Sequence, residues 1–260
     1  MSAAIQSLPI KEQIVLVTGG ARGVGASLVR AFLREGARVV IDYCSSRIGA
    51  QELSARAPER TIALQADVRD AAAVRTMVAQ AKQHFGSPVT TVINNALFRF
   101  SFNGDKRHSV ESLGWEHLNQ QFEGTIEGAL NTVQATLDDM KRQGFGRIIN
   151  VGTNLFQNPV VPYHDYTAAK AALLAITRTF AQDLGPHGIT VNMISGGLLR
   201  TTDASAATPD AVFDLIATST PLRRVITPEE FADSALFFAS PWARAVTGQN
   251  LVVDGGLVKN

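Results

Sequence analysis

Short apolar runs alternate along this chain with longer stretches in which apolar residues recur every three or four positions. The runs are Ile14-Val15-Leu16-Val17, Val39-Val40-Ile41, Thr61-Ile62-Ala63-Leu64, Val92-Ile93, Ile148-Ile149, Val191-Asn192-Met193-Ile194 and Leu251-Val252-Val253, which makes seven candidate strands. Between the first two, Val24, Leu28, Val29, Phe32 and Leu33 keep helical spacing, and Gly36 closes the helix. Strands that alternate with helices need crossover connections. The pattern therefore predicts an α/β fold, a doubly wound parallel sheet of seven strands with helices on both faces. The stretch from Thr167 to Leu184 carries small and apolar residues on more than one side, which predicts burial within the chain, against a second copy, or both.

Composition narrows the function classes. The 260 residues are 45% hydrophobic and 18% charged, which suits one large α/β domain over residues 1–260. Net charge is +1 with Lys and Arg scattered, so no footprint for nucleic acid is present. Cys44 is the single cysteine, which excludes an intrachain disulfide and fits a reducing, cytoplasmic setting. The stretch from Met1 to Gln13 lacks a continuous apolar core, and no later run reaches the ~18 residues needed to span a bilayer. Neither an export signal nor a membrane anchor is read, and no metal site is expected.

Chemistry enters at two places. The first strand runs through Thr18-Gly19-Gly20-Ala21-Arg22-Gly23-Val24-Gly25 directly into the first helix. Glycines there let the backbone turn and approach a pyrophosphate, whose charge is favoured by the free N–H groups of the helix start. Further on, Tyr166-Thr167-Ala168-Ala169-Lys170 places a phenol and an amine four apart on one helical face. Together with Asn94-Asn95-Ala96 after the fourth strand, Asp67-Val68 after the third and Val253-Asp254-Gly255-Gly256 near the end, this constellation resembles the short-chain dehydrogenase/reductase family over Ile14 to about Gly256. In overall character it is most similar to the 3-oxoacyl-[acyl-carrier-protein] reductases.

The resemblance implies a Rossmann fold and an NAD(P)-dependent oxidoreductase that reduces a ketone, or a 3-oxoacyl thioester, to an alcohol. It implies Tyr166 as the proton-transfer residue, with the Lys170 ammonium lowering a phenol pKa that is ordinarily about 10. Lys170 is also implied to hold the nicotinamide ribose. The family's substrate-orienting serine falls thirteen positions before the tyrosine, on Thr153, which keeps the hydroxyl. Its helix asparagine falls on Thr125 when matched at Gly128-Ala129-Leu130, or near Phe122 when matched at Trp115. Either way asparagine is absent; in relatives that residue's backbone carbonyl holds a water joined to the lysine, so the resemblance implies a proton relay that survives without the side chain. The cofactor set implied is Gly19, Arg22, Gly23, Val24, Gly25, Asp67, Val68, Asn94, Ala96, Tyr166, Lys170, Gly197, Leu199 and Thr201. Leu97 and Gly196 replace the usual glycine and proline at the rim.

Cofactor choice rests on the end of the second strand. NAD-preferring relatives carry an acid where this chain has Tyr43, and Asp42, its neighbour on the strand, faces the other side. Ser45, Ser46, Arg47 and Arg22 instead suit a 2′-phosphate, so NADP is expected over NAD. Phe98, Phe100, Phe102, Phe156, Val161 and Tyr163 are candidates to line an apolar cleft, and Leu198, Leu199, Val212, Phe213 and Ile216 a lid. Lys141, Arg142 and His187 are candidates to dock an acidic carrier. A homotetramer or homodimer is expected. The competing reading is a dinucleotide-binding sensor or scaffold that has lost turnover; against it stands the retention of Tyr166, Lys170 and a hydroxyl at 153.

Overall fold

A computed structural model describes residues 7–202 and 204–259. Met1 to Gln6, part of the stretch read as lacking an export signal, lie outside the described residues. All seven expected strands form: β1 (Ile14–Val17), β2 (Arg38–Tyr43), β3 (Thr61–Gln65), β4 (Thr91–Asn94), β5 (Gly146–Thr153), β6 (Ile189–Gly196) and β7 (Asn250–Val253). They make one parallel sheet in the order β3-β2-β1-β4-β5-β6-β7.

Alternation along β1 shows why the sheet is covered on both faces. Val15 and Val17, with Val39 and Ile41 of β2, pack against Leu28, Val29 and Phe32 of α1 (Gly23–Arg34) and Phe231, Ala235 and Phe238 of α8 (Pro228–Ala239). Ile14 and Leu16, with Val40 and Val92, face the other way into Val74, Met77 and Val78 of α3 (Ala71–Phe85), Met140 of α5 (Gly128–Gln143) and Leu184 of α6 (His164–Leu184). Side chains two apart share a face, so one tetrapeptide joins two cores. Helices α2 (Arg47–Ala55), α4 (Trp115–Phe122) and α7 (Asp210–Ser219) complete the set. Among the described residues no helix is long and apolar enough to cross a membrane.

Local signals set the ends. Asp70 caps α3 by accepting from Ala72 and Ala73 N–H, and Gly86 ends that helix in the left-handed conformation that a side chain resists. Helix α6 begins at His164, three residues before the expected Thr167, which puts Tyr166 in its first turn. Its buried stripe is Tyr166, Ala169, Lys170, Leu173, Thr177, Ala181 and Leu184, while Ala171 and Ala175 stay exposed. Strand order reverses between β1 and β4, and the crevice beyond their carboxyl ends is where such sheets take their ligands.

Candidate active site

The crevice is held open by a polar clamp. Thr18, the residue after β1, donates its hydroxyl to Ile93 C=O and accepts the N–H groups of Asn95 at 2.9 Å and Ala96 at 3.0 Å. Asn95 Nδ2 donates back to Thr18 C=O at 2.9 Å. The glycines are needed by contact: a Cβ on Gly25 would stand 2.1 Å from Gly19 O, and one on Gly19 3.1 Å from Ala96 Cα. Gly19 also has φ of 61°, a left-handed conformation. Its N–H is taken by Asp42 Oδ2 at 3.1 Å, from a carboxylate that is 1% exposed and whose other oxygen has no partner. Burial pushes the Asp42 pKa up to about 7, against the lowering effect of the Gly19 hydrogen bond. Asp42 faces inward, and its strand neighbour Tyr43 is buried as well, at 7% exposure.

Beside the start of α1 lies a cavity of about 410 Å³, lined among others by Arg22, Gly23, Ala26, Gly49, Arg56, Thr201 and Thr202. Gly49 packs α2 against the loop so closely that a Cβ would lie 2.6 Å from Ala21 O. Ser45 and Arg47 are exposed at the neighbouring β2–α2 turn, with Ser46 partly so. Asp67 is gripped by Arg69, with Nη2 to Oδ2 at 2.6 Å, and that hydrogen bond holds its carboxyl below the usual range. Leu199 is buried and bridges to Ile226, and Gly197 fits where a Cβ would be 3.1 Å from Asn154 Nδ2.

The Asn94 side chain serves the interior. Its Nδ2 donates to Asn150 Oδ1 at 2.8 Å and its Oδ1 accepts from Thr132 at 2.6 Å, while Asn150 donates on to Thr177. This network ties β4 and β5 to α5 and α6, so of the Asn94-Asn95-Ala96 run it is Asn95 and Ala96 that meet the glycine loop.

At the carboxyl end of β5, Thr153 is buried, and its hydroxyl hydrogen-bonds the Tyr166 phenol. Lys170 is buried one turn on, donating from Nζ to Val151 C=O at 2.7 Å, with Nζ 5.8 Å from the Tyr166 ring centroid. Sequence reasoning expected the lysine to lower the phenol pKa. Here burial dominates both groups: it pushes Tyr166 up to about 12, opposed by the Thr153 bond, and Lys170 down to about 8.

Phe122 and Thr125, the two positions matched to the family's helix asparagine, lie at the join of α4 and α5. Phe122 closes α4, and Thr125 sits in a π-helical turn, Glu123–Glu127, that joins α4 to α5. Thr125, Gly124, Asn94, Thr18 and Lys170 share a cavity of about 10 Å³, which is on the scale of one water.

Over Tyr166 stand Phe100, Phe102, Tyr163, Leu155, Leu97 and Val161. These residues pack into one aromatic and aliphatic cluster, with Phe100 stacked on Tyr166 at 4.4 Å between ring centroids. Phe213 of the expected lid is buried, with the Arg200 guanidinium over its ring at 5.0 Å. Arg142, a candidate for carrier docking, is paired with Asp139.

The chain matches the family model described as enoyl-(acyl carrier protein) reductase over residues 19–258. It is 33% identical to a 3alpha-hydroxysteroid dehydrogenase of Mediterraneibacter gnavus, covering 95% of this chain and 97% of the relative. It is 30% identical to the 3-oxoacyl-[acyl-carrier-protein] reductase FabG of Staphylococcus epidermidis, covering 93% and 97%. The structure superposes with a TM-score of 0.84 on a gluconate 5-dehydrogenase of Burkholderia cenocepacia solved with NADP and tartrate, 26% identical over 94% of each chain. With the parallel seven-stranded sheet, the glycine loop at its switch point and the Tyr/Lys helix, these likenesses establish that the chain is an oxidoreductase of the short-chain dehydrogenase/reductase family.

Proposed function

We propose that the chain reduces a ketone with NADPH, using Tyr166 as proton donor, Thr153 to orient the carbonyl and Lys170 to stabilise the phenolate left behind. The observation that carries this reading is the convergence of three buried groups, Thr153, Tyr166 and Lys170, at the strand ends beside a close-packed glycine loop with a cavity of about 410 Å³ next to it. The residues fit the cofactor. Gly19, Gly23, Val24 and Gly25 would receive the pyrophosphate at the helix start, Asp67 and Val68 the adenine, and Asn94, Ala96, Gly197, Leu199 and Thr201 the nicotinamide end. Arg22, Ser45, Ser46 and Arg47 would take a 2′-phosphate, and no acid stands at Tyr43 to hold a free ribose, which supports NADP over NAD.

When bound, the reduced nicotinamide supplies the hydride to the carbonyl carbon. Tyr166 gives its proton to the carbonyl oxygen, while Thr153 donates a hydrogen bond to that oxygen as negative charge grows on it. Lys170, protonated, favours the resulting phenolate. The cavity between Lys170 and Thr125 supports a single water there as the route by which the proton is replaced. The exposed Ala171 and Ala175, beside the partly buried Leu174 and Ile176 of α6, support a homodimer or homotetramer with this part of the helix covered.

The test is NADPH and NADH oxidation against ketones, acetoacetyl thioesters, quinones and keto sugars. Turnover of any ketone by wild type, lost in Tyr166→Phe, sustains the reading. Tight NADPH binding with no turnover across the panel replaces it with a nucleotide sensor.

A further inference from the structure

We infer that Phe100 is a movable cover over Tyr166, and that the strip from Phe100 to Phe102 must lift before a carbonyl can reach the phenol; this rests on Tyr166 as the proton donor. The form described is the closed one, and access to Tyr166 is a separate step from the chemistry.

A proton donor has to meet the carbonyl oxygen at about 2.6–3.2 Å. Here that approach is shut. Tyr166 is 5% exposed and Thr153 4%, and the phenol is hydrogen-bonded to Thr153. The Phe100 ring lies nearly parallel to the Tyr166 ring, with planes at 16°, and Phe102 meets Tyr166 edge-on at 5.4 Å and Phe100 edge-on at 5.0 Å. Tyr163 meets both phenylalanines at 5.3 and 5.7 Å, and Leu97, Leu155 and Val161 fill the remaining contacts. Phe100 and Phe102 are themselves only partly buried and Ser101 between them is exposed, so solvent lies on the outer side of this layer while Tyr166 lies beneath it. The same layer keeps water from the phenol, and that burial is what raises its pKa to about 12.

The strip is lightly held between two fixed ends. Among the described residues one backbone hydrogen bond joins it to another part of the fold, from Phe102 N–H to Ala204 C=O at 3.1 Å, and no helix or strand runs through it. Before it, Phe98 lodges under the π turn, where a Cβ on Gly124 would stand 2.4 Å from Phe98 Cβ; Gln121 Nε2 donates to Phe98 C=O at 3.0 Å, and the Arg69 guanidinium covers the Phe98 ring at 3.8 Å. After it, Asn103 accepts the Asp105 N–H at 3.1 Å and caps a short turn, Gly104–Lys106. Arg99, between the anchor and the strip, has φ of 42°, a left-handed conformation costly for a residue with a side chain, and rotation there relieves that strain as the strip swings out. What keeps the strip down is aromatic contact, each pair favouring the closed form about threefold to tenfold. A hold of that size leaves the lifted form as a minor state that a substrate can select.

The experiment pins the strip and then frees it. In a Cys44→Ser background, Phe102→Cys and Ala204→Cys are introduced together, at two residues whose backbones already meet, so that oxidation ties the strip down and dithiothreitol releases it. Turnover of 2,3-butanedione with NADPH is expected to vanish on oxidation and return on reduction. Phe100→Ala in the otherwise native chain should raise kcat/KM for the same ketone about tenfold, because it removes the stacked pair that favours closure. Undiminished turnover by the crosslinked protein, or a lower kcat/KM in a Phe100→Ala protein of native Tm, overturns the cover. Acetylation by N-acetylimidazole, located by mass spectrometry, reads the strip without any turnover. It should stop at Tyr166 in the crosslinked protein and quicken there in Phe100→Ala, with the buried Tyr43 unchanged as the internal control. That labelling pattern with no ketone turned over by any form keeps the cover and sinks the reductase reading. Turnover with Tyr166 labelled equally fast in oxidised and reduced protein keeps the reductase and sinks the cover.

Discussion

Asp42 Oδ2 accepts the backbone N–H of Gly19 at 3.1 Å, so the carboxylate at the end of β2 holds the first glycine of the nucleotide loop from the interior side. Burial raises the folded-state pKa from 3.8 to about 7. For a raised pKa the stabilising contribution is fully present below the unfolded value, near pH 4, and is lost as pH rises through about 7, where the buried group must ionise. Asp42→Asn keeps an acceptor for Gly19 without the charge. It should leave Tm near the wild-type value at pH 4 and raise it by several degrees at pH 8, as read by calorimetry. Equal Tm differences at both pH values would show that Asp42 does not titrate in this range.

That contact shows where sequence reading reached and where it stopped. Period-two alternation was enough to set Asp42 and Tyr43 on opposite sides of the strand, and the apolar runs located all seven strands, most clearly the central ones, which are buried on both faces. What Asp42 touches lay beyond reach, since Gly19 is 23 residues away in sequence and meets it only through the sheet. The Thr18 clamp was missed for the same reason: a threonine after a strand looks ordinary until β4 is placed beside it. Asn94 and Asn95 read alike as a pair, yet neighbours on a strand end face opposite ways, so one serves the core and the other the loop. The pKa order at Tyr166 and Lys170 was also hidden, because desolvation depends on everything packed around a group and spacing reports only its neighbour.

Thr18 carries three hydrogen bonds on one hydroxyl, to Ile93, Asn95 and Ala96. Thr18→Val preserves shape and leaves two backbone N–H groups in the crevice without that acceptor, which costs about 2–3 kcal/mol. Urea unfolding should show a loss of that size, and NADPH affinity should fall as the loop loosens. Unchanged stability would mean that water replaces the hydroxyl at no cost.

Arg22 lines the large cavity beside the start of α1, and Arg47 opens α2 next to it. If these guanidinium groups receive a 2′-phosphate, Arg22→Ala and Arg47→Ala should each weaken NADPH about tenfold and NADH much less. Fluorescence titration with both nucleotides measures the difference. Equal losses assign the arginines to the loop's structure, and tighter NADH than NADPH in wild type reverses the cofactor preference.

Tyr166→Phe removes the transferable proton and the hydrogen bond to Thr153. Turnover should disappear while the NADPH dissociation constant stays within about threefold, and Lys170→Met should damage both. Burial lowers the Lys170 pKa to about 8, below the raised value of Tyr166. Reduction benefits from the cation, so kcat/KM should be level below pH 8 and decline above it. A rate retained by Tyr166→Phe would move the proton donor elsewhere, with Tyr163, buried in the same cluster, the first residue to test.

On the proposed mechanism, Thr153 sets how much of the barrier the protein lowers at the carbonyl oxygen. Its hydroxyl bonds the Tyr166 phenol and accepts the Leu155 N–H at 3.3 Å, so it is held at the strand end by groups on both sides. A donor fixed this way and aimed at developing charge contributes about 3 kcal/mol, or roughly a hundredfold in rate. The γ-methyl stiffens χ1 and narrows the space beside Tyr166. Thr153→Ser should therefore keep most activity and accept bulkier ketones, whereas the near-isosteric Thr153→Val should lose about a hundredfold in kcat with NADPH affinity unchanged. Valine also takes the Leu155 N–H acceptor away, so Tm of both variants must be measured beside their kinetics on one shared ketone. A stable valine variant with wild-type kcat would show that this threonine only packs, and that orientation of the carbonyl rests on Tyr166 alone.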